Sequence, residues 1–214
     1  MKKCVNTLIL AMSVSLFSGC NGIFSWIYDP APQKTTFGFV ETDPTTHSGT
    51  IYIDATDYVK WTYIHLAEMK IDTSNAKNDI EPADWDFAIH RYDVKTNNGA
   101  AMETDYTSID QIIEGNISLS GVFTPDTFSK VMVDVSDMMN GNIEYADSYI
   151  NPVLNKWLDV NTDQMPPIYT LSNKVYILQL SNDQYAALQF TNYMSSTSAK
   201  GFVTIRYVFP IINS

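Results

Sequence analysis

The sequence predicts an all-β domain with long loops and little helix. Short runs in which apolar and polar residues alternate recur along most of the chain, and Gly, Asn, Asp and Pro punctuate them. Aromatic residues, which suit pleated sheets, are plentiful: 13 Tyr, 10 Phe and 4 Trp. With 45% apolar residues in 214 and no internal repeat, the chain can bury one sizeable core.

The elements follow in order. Residues 50–55 alternate, with Ile51 and Ile53 on one face. Residues 54–57 form a turn, and 60–66 alternate again, grouping Trp61, Tyr63 and His65; the two runs together read as a β-hairpin. Residues 83–94 read as one long central strand closed by the turn at 96–99. Residues 106–113 are a short helix or a loop. Residues 130–135 lead as a strand into a turn-rich loop at 137–142. Asn151-Pro152 has the look of an N-cap followed by an N1 proline, which predicts one helical turn over 153–157. Residues 157–160 enter a second turn-rich loop at 162–167. Residues 174–180 and 185–190 are strands joined tightly through 181–184, and 202–209 is the last strand, ending at Pro210.

The N-terminus carries a different signal. Met1-Lys2-Lys3 is basic, residues 5–17 are apolar but too short to span a bilayer, and Ser18-Gly19 precede Cys20. This pattern predicts a bacterial lipoprotein signal peptide over 1–19 with Cys20 as the lipidated residue; Phe17 stands where Leu is usual. Residues 20–48 then serve as tether and linker, with 37–40 as a possible extra strand, and 49–214 form the domain. Cleavage removes Lys2 and Lys3 and leaves 11 basic against 24 acidic side chains, a net charge of −13. Such a balance argues against nucleic acid and against charge-driven binding to anionic lipid, so the membrane is reached through the lipid anchor only. Cys4 leaves with the signal and Cys20 is modified, so the mature chain holds no thiolate for zinc or for nucleophilic catalysis.

Both turn-rich loops carry methionine at the tip: Met138 and Met139 in the first, Met165 in the second. A methionine in a polar turn buries little apolar area. It either folds back to plug a gap in the core or offers its soft, neutral thioether to a metal such as heme iron. The loops lie 165 − 138 = 27 residues apart, close enough to converge. Adjacent Met138 and Met139 point to opposite sides, and the sequence leaves the choice between them open. Of the histidines, His90 reads as packed and hydrogen-bonded, and His65 and His47 are weaker ligand candidates. Arg91-Tyr92-Asp93 reads as an Arg–Asp pair plus a tyrosine hydroxyl bond that fix the sheet. There is no Ser/His/Asp or Cys/His spacing, no zinc set and no glycine-rich phosphate loop, so no enzyme is expected. A glycan- or protein-binding surface lipoprotein is the rival reading, with Trp61, Trp85 and Tyr149 as stacking residues, although Trp61 and Trp85 read more simply as core.

The segment Trp85-Asp86-Phe87-Ala88-Ile89-His90-Arg91-Tyr92-Asp93-Val94 resembles the W-D-x-A-x-H-R-Y-D-V stretch of the HmuY family of heme-binding lipoproteins. The likeness extends in order over about residues 49–211. It includes Ile51-Tyr52-Ile53-Asp54-Ala55, Pro167-Ile168-Tyr169, Leu188-Gln189-Phe190-Thr191-Asn192-Tyr193 and Lys200-Gly201. It implies an all-β protein of the outer membrane, exposed on the cell surface or released from it. Such a protein takes heme b from host hemoproteins and passes it to a TonB-dependent outer-membrane receptor. In that family heme lies between two loops, each giving one axial ligand. The founding member uses two histidines and some relatives use methionine at both places. Neither loop here contains histidine, so the resemblance implies axial Met138 (or Met139) and Met165. Tyr145, Tyr149, Trp157 and Ile168 flank the loops as candidate walls for the porphyrin.

Overall fold

A computed structural model describes residues 36–212 except Asp79 and Asn116. The expected signal peptide and the lipidation site at Cys20 lie outside the described residues. Among the described residues, fifteen strands and one short α-helix follow one another. They are β1 Gly38–Asp43, β2 Ser48–Asp54, β3 Lys60–His65, β4 Lys70–Asn75, β5 Phe87–His90, β6 Asp93–Thr96, β7 Ala100–Glu103, α1 Asp110–Ile113, β8 Thr124–Pro125, β9 Thr127–Asp134, β10 Glu144–Ile150, β11 Leu158–Asn161, β12 Ile168–Leu171, β13 Val175–Gln179, β14 Tyr185–Met194 and β15 Lys200–Val208. A large sheet has the order β1-β2-β15-β14-β13-β7-β8, and a smaller one the order β4-β3-β5-β6. Each adjacent pair is antiparallel. Two further pairs, β9–β10 and β11–β12, stand as separate two-stranded ribbons.

Strand alternation builds the core. Ile51 and Ile53 of β2, Val203 and Ile205 of β15 and Leu188 and Phe190 of β14 join Ile64 of β3 and Phe87 and Ile89 of β5 in one buried cluster shared by the two sheets. The opposite face of the large sheet packs Val175, Ile177 and Ala187 against Ile109 and Ile112 at α1. The opposite face of the small sheet packs Trp61, Tyr63, Trp85 and Ala88 against Val131 and Val133 of β9. Both sheets are thus covered on both faces, and β3 is buried along almost its whole length.

Three expectations needed correction. Residues 50–55 and 60–66 do not pair. The first run joins β1 and β15, the second joins β4 and β5, and the chain changes sheet between them. Alternation fixes which face a strand buries but not which neighbour it takes. Residues 83–94 are not one strand: β5 and β6 fold on each other at Arg91-Tyr92, where Arg91 adopts φ 53°. Its guanidinium holds that left-handed corner by donating from Nη1 to the carbonyls of Thr56 at 2.8 Å and of Ala55 and Lys200 at 3.3 Å. The expected pairing of Arg91 with Asp93 is therefore absent; Asp93 accepts instead from Asn155 Nδ2 at 3.2 Å. The Tyr92 hydroxyl is enclosed beside the side chain of Tyr169. Gly201 makes room for the arginine, since a Cβ there would lie 2.5 Å from Arg91 Nη1 and 2.9 Å from the Ala55 carbonyl.

Candidate functional site

The ribbon β9–β10 alternates cleanly. Val131, Val133, Ala146, Ser148 and Ile150 turn inward onto the small sheet. The outward residues pair across the strands: Phe128 with Tyr149, Lys130 with Asp147, Met132 with Tyr145. The Phe128 and Tyr149 rings meet edge to face at 5.8 Å, and Lys130 lies 3.6 Å from Asp147. At its tip Met138–Asn140 form a 3-10 turn that ends at Gly141 with φ 82°. The Asp137 carboxylate accepts from the amides of Asn142 and Asn140, and these bonds hold it below the usual carboxylate range. Lys77 reaches Glu144 at 2.7 Å and ties this end of the ribbon to the turn after β4.

The ribbon β11–β12 carries the second tip. Val160, Tyr169 and Leu171 pack against the main core, while Ile168 and Thr170 face outward. Asn161 Oδ1 accepts from the Asp163 N–H at 2.8 Å and starts the turn that presents Met165. Tyr169 stacks on Tyr193 of β14 at 5.5 Å and meets Tyr92 edge to face at 5.7 Å, so this ribbon is clamped to the large sheet through rings. Burial pushes the Tyr92 hydroxyl pKa well up.

Residues 151–157 root both ribbons. Asn151 is fully buried; its Oδ1 caps the turn by accepting from Val153 N at 3.1 Å and Leu154 N at 3.0 Å. Its Nδ2 donates to the Thr124 carbonyl and to Asp126 Oδ1, both at 2.9 Å. Burial raises the Asp126 pKa, against the pull of the Thr96 and Asn151 donors. Trp157 is also fully buried: it stacks on Phe190 at 4.6 Å and donates from Nε1 to the Tyr92 carbonyl at 2.8 Å. It is a core residue closed to any ligand, which corrects its reading as a porphyrin wall.

The methionines do not plug the core. Met138 is 53% exposed, Met139 93% and Met165 85%. Of the thirteen exposed large apolar side chains among the described residues, eight lie on these two ribbons and their tips. Besides the three methionines they are Phe128, Met132, Tyr145, Tyr149 and Ile168. Phe128 and Met132 are absent from the sequence-based wall; starting the β9 alternation at Thr127 instead of Lys130 would have placed both outward. His90 and His65 are buried, as a packed role requires. His90 Nε2 lies 2.7 Å from the Tyr58 carbonyl and its ring 5.2 Å from that of Trp61. His65 Nε2 lies 3.1 Å from Asp72. His47 is exposed on the β1–β2 turn, beside a cavity of about 500 Å³ that it lines with Leu66, Met69, Tyr207 and Phe209. A cavity of about 590 Å³ opens between Trp85, Lys95, Asp126 and Tyr149. Neither touches the methionine tips.

The chain resembles known proteins along most of its length. No curated protein matches it. Among solved structures, an HmuY-like protein of Bacteroides vulgatus to which heme binding is ascribed is 48% identical, covers 83% of this chain and 100% of its own, and superimposes with a TM-score of 0.78. A Bacteroides fragilis protein classed by inference as a lipoprotein is 44% identical over 84% of this chain and 98% of its own, also at 0.78. The apo form of an HmuY analog from Tannerella forsythia is 26% identical over 75% and 94%, at 0.64. The model of the HmuY protein family matches residues 57–207. The chain belongs to the HmuY family.

Proposed function

We propose that this chain is a surface lipoprotein that binds heme b between the two ribbon tips, with Met165 and Met138 as axial ligands, and passes it to a TonB-dependent outer-membrane receptor. The observation that carries this reading is the concentration of exposed apolar side chains on the two ribbons, crowned at both tips by exposed methionines. The donor set fits the group. Heme offers a flat apolar ring and an iron that accepts soft neutral ligands. Tyr145, Tyr149, Phe128 and Ile168 supply exposed apolar area for the ring, and Met138 and Met165 the sulfurs. Met138 is favoured over Met139 because it is half covered, so less side-chain freedom is lost when it binds. The imidazoles of His65 and His90 are buried, which favours the tips over these two histidines as the ligand source.

The test is a heme titration of the mature chain, read by the Soret band with and without dithionite, on the parent and on Met138→Ala, Met139→Ala and Met165→Ala. A sharp Soret band and split visible bands in the reduced state, lost in Met165→Ala and in Met138→Ala, support the assignment. His47→Ala is the control and is expected to bind as the parent does. Spectra identical to free heme in the parent would remove the reading. The exposed aromatic face of β9–β10 would then favour a glycan or protein partner.

A further inference from the structure

We infer that Lys200 anchors a carboxylate of the porphyrin: its ammonium, set on the stacked rings of Tyr169 and Tyr193 at the root of the second methionine ribbon, takes a heme propionate. This rests on the heme reading above.

The chain is acidic, with 24 carboxylate side chains against 13 basic ones. Among the described residues, seven of the ten basic side chains pair with a carboxylate. The three without one are Arg91, Lys156 and Lys200. Arg91 commits Nη1 to three backbone carbonyls. Lys156 is exposed on the turn before β11, and no contact fixes its side chain. Lys200 is different. It is half-buried, and its Nζ lies 4.8 Å from the Tyr169 ring centroid and 4.9 Å from that of Tyr193. Its one hydrogen-bond acceptor is the Met194 sulfur at 3.4 Å, a weak one. Neutral groups thus hold an ammonium in place while leaving most of its donor capacity unused. In a protein with surplus carboxylates, a partly desolvated cation without an anion is an open valence.

Its position connects it to the site. Tyr169 follows Ile168 on β12, four residues from Met165, a reach of at most about 13 Å. Heme carries two propionates, ionised at neutral pH, which the acidic surface of this chain would otherwise repel. An ammonium fixed on the ring clamp at the foot of the ribbon gives one of them a charge-assisted partner, and so orients the porphyrin with that edge toward β15.

The experiment titrates the mature chain with heme and with heme dimethyl ester, whose carboxylates are blocked, in the same detergent. The variants are Lys200→Gln, Lys200→Arg and, as a charge control on the exposed β4 strand, Lys70→Gln. Lys200→Gln is expected to weaken heme binding about tenfold and to leave the ester unaffected, with Lys200→Arg restoring heme. Lys70→Gln should change neither. Equal weakening of heme and ester in Lys200→Gln would make the lysine a prop for the tyrosine stack and overturn the inference. Equal affinity of the parent for heme and ester would overturn it while leaving the heme reading intact. A parent that binds neither removes the heme reading and this inference together.

Discussion

Replacing Asn151 with alanine should unfasten both ribbons at their common root. The side chain is fully buried and makes four hydrogen bonds, two accepted from the turn at 153–154 and two donated to Thr124 and Asp126. A neutral bond of this kind contributes about 1 kcal/mol net, and one to a carboxylate about 2 kcal/mol, so losing three of the first and one of the second removes about 5 kcal/mol. For a domain of this size each kcal/mol moves the midpoint by about 2–4 °C, which gives a fall of roughly 10–20 °C in thermal unfolding. Asn151→Asp keeps the oxygen that caps the turn but sets a second carboxylate against Asp126. It should be as damaging as alanine at pH 7 and recover on acidification, as one of the pair takes a proton. Urea and thermal unfolding at pH 7 and pH 5 read both effects. An Asn151→Ala protein that melts within about 2 °C of the parent would refute the claim that this network holds the ribbons.

Burial pushes the Tyr176 hydroxyl up to about 12 from an ordinary value of 10.0. A raised folded-state value means stability is fully present below pH 10 and is lost as pH rises from there toward about 12, by about 2–3 kcal/mol. Tyr176→Phe should flatten that alkaline slope in denaturant titrations between pH 9 and 11, and an unchanged slope would assign it elsewhere. Gly201→Ala forces a Cβ into the Arg91 guanidinium and the Ala55 carbonyl at φ 100°; we expect a loss of about 2 kcal/mol or more by urea unfolding. A thioether carries no proton, so heme affinity should stay level from pH 8 to pH 5; a fall near pH 6.5 would indicate a histidine ligand instead. Methionine favours the lower oxidation state, so ferrous heme should bind more tightly than ferric, and a titration with the opposite order would contradict axial methionine.

The all-β class, the last three strands and the two methionine loops were legible because each rests on local chemistry: period-2 alternation, or turn residues beside an exposed thioether. Long-range pairing was not. Residues 50–55 and 60–66 alternate identically, yet enter different sheets, because the partner is chosen by packing on β15 and β5. The corner at Arg91 was hidden because it uses no Gly, Asn or Pro; its left-handed conformation is held by three carbonyls from two remote places in the sequence, 55–56 and 200. The polar strand Lys70–Asn75 gave little apolar signal because it lies at a sheet edge, half open to water. Trp157 misled for the reverse reason. Its neighbours 158–161 do enter the loop ribbon, but the indole points back onto Phe190. Lys200 was beyond reach, since its place depends on rings contributed by β12 and β14.

The tips of the two ribbons take almost no part in holding the protein together. Met139 and Met165 can be exchanged with little effect on folding, since exposed positions away from caps and cores tolerate change within about 0.5 kcal/mol. Stability resides below, in the asparagine root and the aromatic clamps. On the heme reading proposed above, thioether could be exchanged for imidazole at the tips, or the reverse, without renegotiating the frame. On that reading, a lineage built on this plan would retune what it grips, and at which redox state and acidity, by changes at two loop tips alone.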